Sequence, residues 1–361
     1  MSSALEVDPN HNALLPEFEA RLEPHYVTLY NKHIRGRKLA HEFTVEENRS
    51  NPVILSFGIE PGPVVGKVER LNITVSDGAE IPLVIYRPTE EQAKISAEGG
   101  GLPPVHINVH GGGWVLGGIA DDDSWIKNAV AVTGCVAISV GYRLAPEHRL
   151  PTGINDVWDT LVYVAQNSAD LGIDQTRISI GGFSAGGHIA AVLSHRSRDR
   201  GLPNNGKLVF ALMVIPVTDA NALDTDLQVR NDTPYSSWKE CYYGPFLSYA
   251  RMSWFYKYAL PLPITESVLL DPEISPIHSK NFKGLPPTLV YPAEIDVLRE
   301  EGLAYAKKLQ DEGDGWVECV VAKGVPHPFP HQTAATPRAK ELVTKSTTRL
   351  REAYAGLLKR S

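Results

Sequence analysis

Positive charge is in short supply in this sequence of 361 residues: 35 Lys and Arg stand against 42 Asp and Glu, a formal net charge of −7. No basic cluster offsets the deficit, which argues against a nucleic-acid partner. Long apolar runs are missing too. The longest, 129–140, is broken by Thr133 and Gly134 and falls short of the roughly 18 residues a membrane span requires. Cysteine is scarce, with Cys135, Cys241 and Cys319 odd in number and far apart. That spacing builds neither a disulfide framework nor a zinc site, and it suits a reducing compartment. The first residues, Met1-Ser2-Ser3-Ala4-Leu5-Glu6, carry no basic stretch and no apolar core. The expectation is therefore no secretory leader and a cytoplasmic location. Internal repeats and low-complexity tracts are also missing. What remains, 43% hydrophobic and 21% charged residues, is the composition of an ordinary globular protein.

The sequence does have a rhythm. Residues 1–60 read as two short helices, with Pro16 and Pro24 each near a first turn, followed by loop. The stretch 51–66, rich in Pro and Gly, reads as a linker or a loop crossing an opening. Segments 68–75 and 81–86 read as strands joined at Ser76-Asp77-Gly78, a hairpin signal. Residues 90–101 read as a polar surface loop. From there predicted strands at 105–109, 135–140, 177–181, 208–215, 288–291 and 317–321 alternate with predicted helices. The helices fall at 123–132, 155–167, 185–196, 300–311 and 336–358. This alternation predicts an α/β fold, with a mostly parallel sheet, an antiparallel edge and helices on both faces. The rhythm stops over 217–272, where Trp238, Tyr242, Tyr243, Phe246, Trp254, Phe255, Tyr256 and Tyr258 gather. Such an insertion suits a cap over the carboxyl edge of the sheet, where α/β proteins bind ligands. A few of these aromatics are expected to touch the ligand, and the rest to form the insertion's own core.

Chemistry concentrates at Gly182-Phe183-Ser184-Ala185-Gly186. A β-branched run precedes it and a helical run follows. Strand, tight turn and helix is the setting in which G-x-S-x-G exposes a nucleophilic serine. A serine hydroxyl needs a base, a group to orient that base, and donors for the oxyanion that forms. Three glycines close the strand at 105–109 in His110-Gly111-Gly112-Gly113-Trp114, so bare amides of Gly112 and Gly113, with that of Ala185, suit the donor role. A nucleotide loop fits less well, since no Gly-Lys-Ser/Thr follows and Leu116 stands where G-x-G-x-x-G needs its third glycine. His327 and Asp296, each just after a predicted strand, suit base and orienter. The order Ser, Asp, His is that of α/β-hydrolases. His331 and Glu294 are the weaker alternatives, and a His327–His331 metal pair lacks an evident third ligand.

Four blocks together resemble the hormone-sensitive-lipase-like carboxylesterases of the α/β-hydrolase fold. They are His110-Gly111-Gly112-Gly113-Trp114; Tyr142-Arg143-Leu144-Ala145-Pro146-Glu147-His148; Gly182-Phe183-Ser184-Ala185-Gly186-Gly187; and Asp296-Val297-Leu298-Arg299-Glu300-Glu301-Gly302 with His327-Pro328-Phe329. The resemblance covers roughly 65–355. It implies a triad of Ser184, Asp296 and His327, the oxyanion hole already described, and a structural His110. It also implies a helical cap built from an N-terminal segment, 1–65, and the insertion, 217–272, over a catalytic domain of 66–216 and 273–361. Arg143, Glu147 and Asp156 are expected to form a buried network supporting the serine turn. Trp114, Phe183, Trp238 and Trp254 are the expected substrate contacts. Phe183, Val297 and Pro328 depart from the family's usual residues without removing a catalytic group. The implied activity is hydrolysis of small to medium acyl esters through an acyl-enzyme, with no metal or organic cofactor. The expected partner is a small-molecule ester, with no nucleic acid and no membrane span; a homodimer stays open. The alternatives are a lyase, cyclase or transacylase built on the same fold, or a non-catalytic small-molecule receptor.

Overall fold

A computed structural model describes residues 8, 10–50, 58–96 and 101–360. Its main sheet is formed by strands β1 (Lys67–Thr74), β2 (Glu80–Arg87), β3 (Val105–Val109), β4 (Val136–Val140), β5 (Ile178–Phe183), β6 (Leu208–Val214), β7 (Thr288–Tyr291) and β9 (Val317–Cys319). They lie in the order β1-β2-β4-β3-β5-β6-β7-β9. The pairs β1–β2 and β2–β4 are antiparallel and the rest are parallel. Every residue of β3, β4 and β5 is buried. Such continuous Val- and Ile-rich runs are what a parallel sheet covered on both faces requires. Strand β1 is one edge, and Lys67, Glu69 and Arg70 make it polar.

Two helical layers cover the sheet. Helices Asp123–Thr133 and Pro337–Tyr354 share one core, where the Trp125 indole N–H donates to Ser346 Oγ at 2.9 Å. Helices Thr152–Gln166, Ala185–Arg200 and Arg299–Glu312 bury Val157, Leu161, Ile189, Val192 and Tyr305 in the other.

The structure alters the sequence reading in three places. The expected loop at 90–101 contains a helix, Glu90–Ser96. A capping box starts it: Thr89 Oγ1 accepts from the Gln92 N–H at 3.1 Å, and Gln92 Oε1 accepts from the Thr89 N–H at 2.9 Å. The same device at Thr44 and Glu47 starts an unexpected third N-terminal helix, Val45–Ser50. Of the expected linker at 51–66, residues 51–57 lie outside the described residues. Lastly, the expected strand at 317–321 stops at Cys319, and the chain enters a second sheet. There β10 (Ala322–Pro326) pairs in parallel with β8 (Ala293–Ile295), with Pro326 opposite Ile295.

Proline begins helices Pro16–Glu19 and Pro24–His33, where its missing N–H costs nothing. Tyr26 and Tyr30 of the second helix meet Phe246 of the insertion edge-on, with centroids 6.1 and 5.2 Å apart. The N-terminal segment and the insertion thus share a core. No helix among the described residues is long and apolar enough to cross a membrane.

Candidate active site

The register brings two strand ends together. Val109 stands opposite Gly182 across β3 and β5, so the glycine loop after β3 meets the turn after β5. Ser184 occupies that turn with φ +56° and ψ −116°, a strained conformation for a residue bearing a side chain. The flanking glycines permit it. A Cβ on Gly182 would lie 2.0 Å from the Val109 carbonyl oxygen, and one on Gly186 would lie 1.9 Å from the same atom. Neither can be anything larger while helix Ala185–Arg200 starts this close to β3. Ala185 is the first residue of that helix, so its N–H has no acceptor within the helix.

The second sheet supplies the partners. Because Ile295 and Pro326 are paired, the next residues on β8 and β10, Asp296 and His327, emerge side by side. His327 Nδ1 lies 2.7 Å from Asp296 Oδ2, and His327 Nε2 lies 2.9 Å from Ser184 Oγ. The buried carboxylate fixes the tautomer: Nδ1–H donates to Asp296, which leaves Nε2 to accept from the serine. Asp296 Oδ1 also accepts from the Leu298 N–H at 3.1 Å, which holds the carboxylate in place.

On the other side of Ser184 lies the glycine loop. A Cβ on Gly111 would stand 2.9 Å from the Phe183 carbonyl oxygen and 3.6 Å from Ser184 Cβ. Gly112 and Gly113 have φ of +108° and +60°, angles that glycine adopts freely. His110 anchors the loop from below. Its ring stacks on Tyr142 at 4.3 Å, its Nδ1 lies 2.7 Å from the Gly111 carbonyl oxygen, and the Tyr142 hydroxyl donates to its backbone oxygen. Burial pushes the His110 pKa down against that backbone bond, so the ring is a neutral prop.

Ser184 and His327 open into a cavity of about 760 Å³, lined mainly by apolar side chains. Phe183 lines it as expected, but Trp114, Trp238 and Trp254 do not. The reason is the same for the first two: an indole N–H buried away from water needs an acceptor. Trp114 donates to His188 Nδ1 at 3.1 Å, and His188 Nε2 lies 3.1 Å from the Ile274 carbonyl oxygen. Burial lowers the His188 pKa to about 4, so the ring passes the bond on as a neutral group. Trp238 donates to Glu301 Oε2 at 2.9 Å. Trp254 packs edge-on against Phe255 and Tyr258 instead of facing the cavity. The cavity wall is built by Phe246, Arg251, Met252 and Phe255. Spacing in helix Tyr249–Ala259 carried the signal: Met252, Phe255, Tyr256 and Ala259 make a buried stripe that skips Trp254.

Other expected residues also fall elsewhere. His331 lines the cavity, but its Nε2 lies 2.7 Å from Asp122 Oδ1, and its ring meets Phe183 edge-on. Burial pulls its pKa down, but the Asp122 hydrogen bond and the charges of Asp122 and Asp121 outweigh that and raise it. His327 and His331 are thus engaged by different carboxylates and share no metal site. Glu294 accepts from the Gly324 N–H and reaches Lys323 rather than His327. The expected buried network is smaller than foreseen. Arg143 binds Asp156 through Nε and Nη2, and Asp77 besides, while Glu147 turns outward to Arg49.

The stretch 106–331 matches the model of a family with the α/β-hydrolase fold. An AB hydrolase superfamily protein of Schizosaccharomyces pombe is 34% identical over 93% of this chain and 95% of its own. The carboxylesterase NlhH of Mycobacterium tuberculosis is 32% identical over 80% of this chain and 83% of its own. Among solved structures, a thermostable esterase from Pseudomonas putida superposes with a TM-score of 0.74 at 29% identity, over 94% of this chain and 99% of that one. The chain belongs to the α/β-hydrolase family, among the hormone-sensitive-lipase-like carboxylesterases that its four sequence blocks resemble.

Proposed function

We propose that this protein is a serine carboxylesterase acting on small to medium acyl esters. One observation carries the reading: the unbroken relay from Asp296 through His327 to Ser184, with links of 2.7 and 2.9 Å. In the reaction, His327 takes the Ser184 proton through Nε2 as Oγ attacks the ester carbonyl. The backbone N–H groups of Gly112, Gly113 and Ala185 receive the oxyanion. The tetrahedral intermediate collapses, the C–O bond to the alcohol breaks, and His327 returns the proton to the leaving oxygen. Water then enters, gives its proton to His327 and cleaves the acyl-enzyme by the same steps, releasing the acid. Asp296 holds the imidazole tautomer and stabilises its cation. The described parts of 1–65, together with 217–272, act as a cap over the catalytic residues and contribute Ala40, Phe246 and Phe255 to the cavity wall. The esterase names of similar proteins support the same reaction class.

The test is Ser184→Ala. The variant should lose turnover of p-nitrophenyl butyrate and labelling by a fluorophosphonate probe, and it should keep the wild-type circular dichroism spectrum. A folded variant with full turnover would overturn the reading.

A further inference from the structure

Among the described residues, one cation at the cavity wall lacks a counter-charge. Arg251 lines the wall on helix Tyr249–Ala259 and is 5% exposed. Its Nη1 donates to the Phe246 carbonyl oxygen at 3.0 Å. Its Nε is buried with no hydrogen-bond partner, and among the described residues no carboxylate pairs with it. The other charged groups at the wall are engaged. Arg49 donates to Glu147, Val115 and Ala145, while Asp121 accepts from the Gly118 N–H. His41 feels the Arg251 charge; burial first and that charge second lower its pKa, so it adds no second cation. Burial lowers the Arg251 pKa only to about 10, and the guanidinium stays charged at neutral pH.

A desolvated guanidinium is costly unless an anion meets it. Arg251 is among the residues that line the cavity, so a bound anion can reach it from there. The position relative to the reacting carbonyl is also set. Phe255 lies four residues on, on the same face of the helix, and the Arg251 guanidinium stands 5.6 Å from the centre of its ring. The same ring presses on Gly113, where a Cβ would be 2.2 Å from its Cδ1. One aromatic ring, that of Phe255, therefore stands between the cation and the Gly113 loop.

We infer that Arg251 is a specificity-determining residue that selects esters bearing a carboxylate several bonds from the reacting carbonyl. The substrate class is a half-ester of a short dicarboxylic acid. This inference rests on the esterase reading and names the substrate for it. A carboxylate accepts from the guanidinium fork in two parallel bonds, which a neutral chain end of equal length cannot do.

The experiment compares monoethyl adipate with ethyl hexanoate, equal in acyl length and differing in terminal charge. Wild-type kcat/KM for the half-ester should equal or exceed that for the neutral ester. In Arg251→Met the ratio of the two should fall at least thirtyfold, and Arg251→Lys should restore part of it. A merely structural Arg251 would lower both rates together and leave the ratio within threefold of wild type, which would overturn the inference. If Arg251→Met fails to fold, the wild type decides. Adipate should inhibit p-nitrophenyl butyrate turnover competitively where adipamide does not, and equal inhibition by the two would refute the anion site. Calorimetric titration of monoethyl adipate into Ser184→Ala separates this failure from failure of the esterase reading. Binding there, without hydrolysis of any ester by the wild type, would overturn the reaction and keep the site.

Discussion

Gly113→Ala probes the contact between the oxyanion loop and the cap. The added methyl would lie 2.2, 2.3 and 2.7 Å from Cδ1, Cγ and Cε1 of Phe255. Ordinary carbon contacts begin near 3.5 Å, so more than about 1 Å must be absorbed. The backbone itself objects only mildly, since φ of +60° costs a methyl-bearing residue about 1–2 kcal/mol. The ring cannot absorb the whole shift. Phe255 is 5% exposed, with Trp254 edge-on at 5.2 Å and Arg251 on its face. The remainder falls on the loop and pulls the Gly113 N–H off the oxyanion. Losing one such donor costs about 10²–10³ in turnover. We expect kcat for p-nitrophenyl butyrate to drop by that factor while KM changes little, because the donor acts mainly on the transition state. Removing the obstacle should undo part of the damage. The double variant Gly113→Ala/Phe255→Ala should turn over at least tenfold faster than Gly113→Ala alone, a coupling of about 1.4 kcal/mol or more. Thermal melts would confirm that all three variants are folded. Strictly additive losses, or a Gly113→Ala variant within threefold of wild type, would refute both the oxyanion role and the contact that limits it.

Two further outcomes follow from the buried carboxylates. Asp296→Asn keeps an acceptor for the Leu298 N–H but disturbs the tautomer of His327, so kcat should fall about 10³–10⁴-fold with an unchanged melting temperature. Activity within tenfold of wild type would remove Asp296 from the relay. Glu301 accepts from the N–H groups of Thr218 and Trp238, yet burial first and the Asp219 charge next raise its pKa well above the usual carboxylate range. A raised pKa in the fold means that the folded state holds the proton more tightly. Its stabilising effect is whole below the unfolded value near 4.3 and is lost as pH rises through the folded value. The urea midpoint of the wild type should therefore fall relative to that of Glu301→Gln between pH 4.5 and 9, and a constant difference would show that Glu301 is charged in the fold.

How far the sequence could be read depended on how far apart the interacting residues lie along the chain. The serine turn was legible because its demands sit within five residues: two glycines that leave room for Val109, and a strand and helix on either side. The parallel sheet was legible because burial on both faces shows directly as runs of Val and Ile. The Thr89 capping box was as local as these and still went unread within a stretch that looked merely polar. The sheet of β8 and β10 was different. Each strand is short, and only their pairing across about thirty residues makes Asp296 and His327 neighbours. That pairing also accounts for Pro328, which departs from the family's usual residue right after His327. The proline stands after the pinned residue, at the entry to the turn Phe329–His331, where its carbonyl accepts from the His331 N–H and no donor is required of its nitrogen. The residues that line the cavity were the least legible, for a physical reason. Trp114 and Trp238 have the size and apolarity of pocket residues, but their indole N–H groups bind acceptors 74 and 63 residues away. A cavity wall is made of side chains left over once such bonds are satisfied. Arg251 is conspicuous at that wall because no carboxylate among the described residues pairs with it.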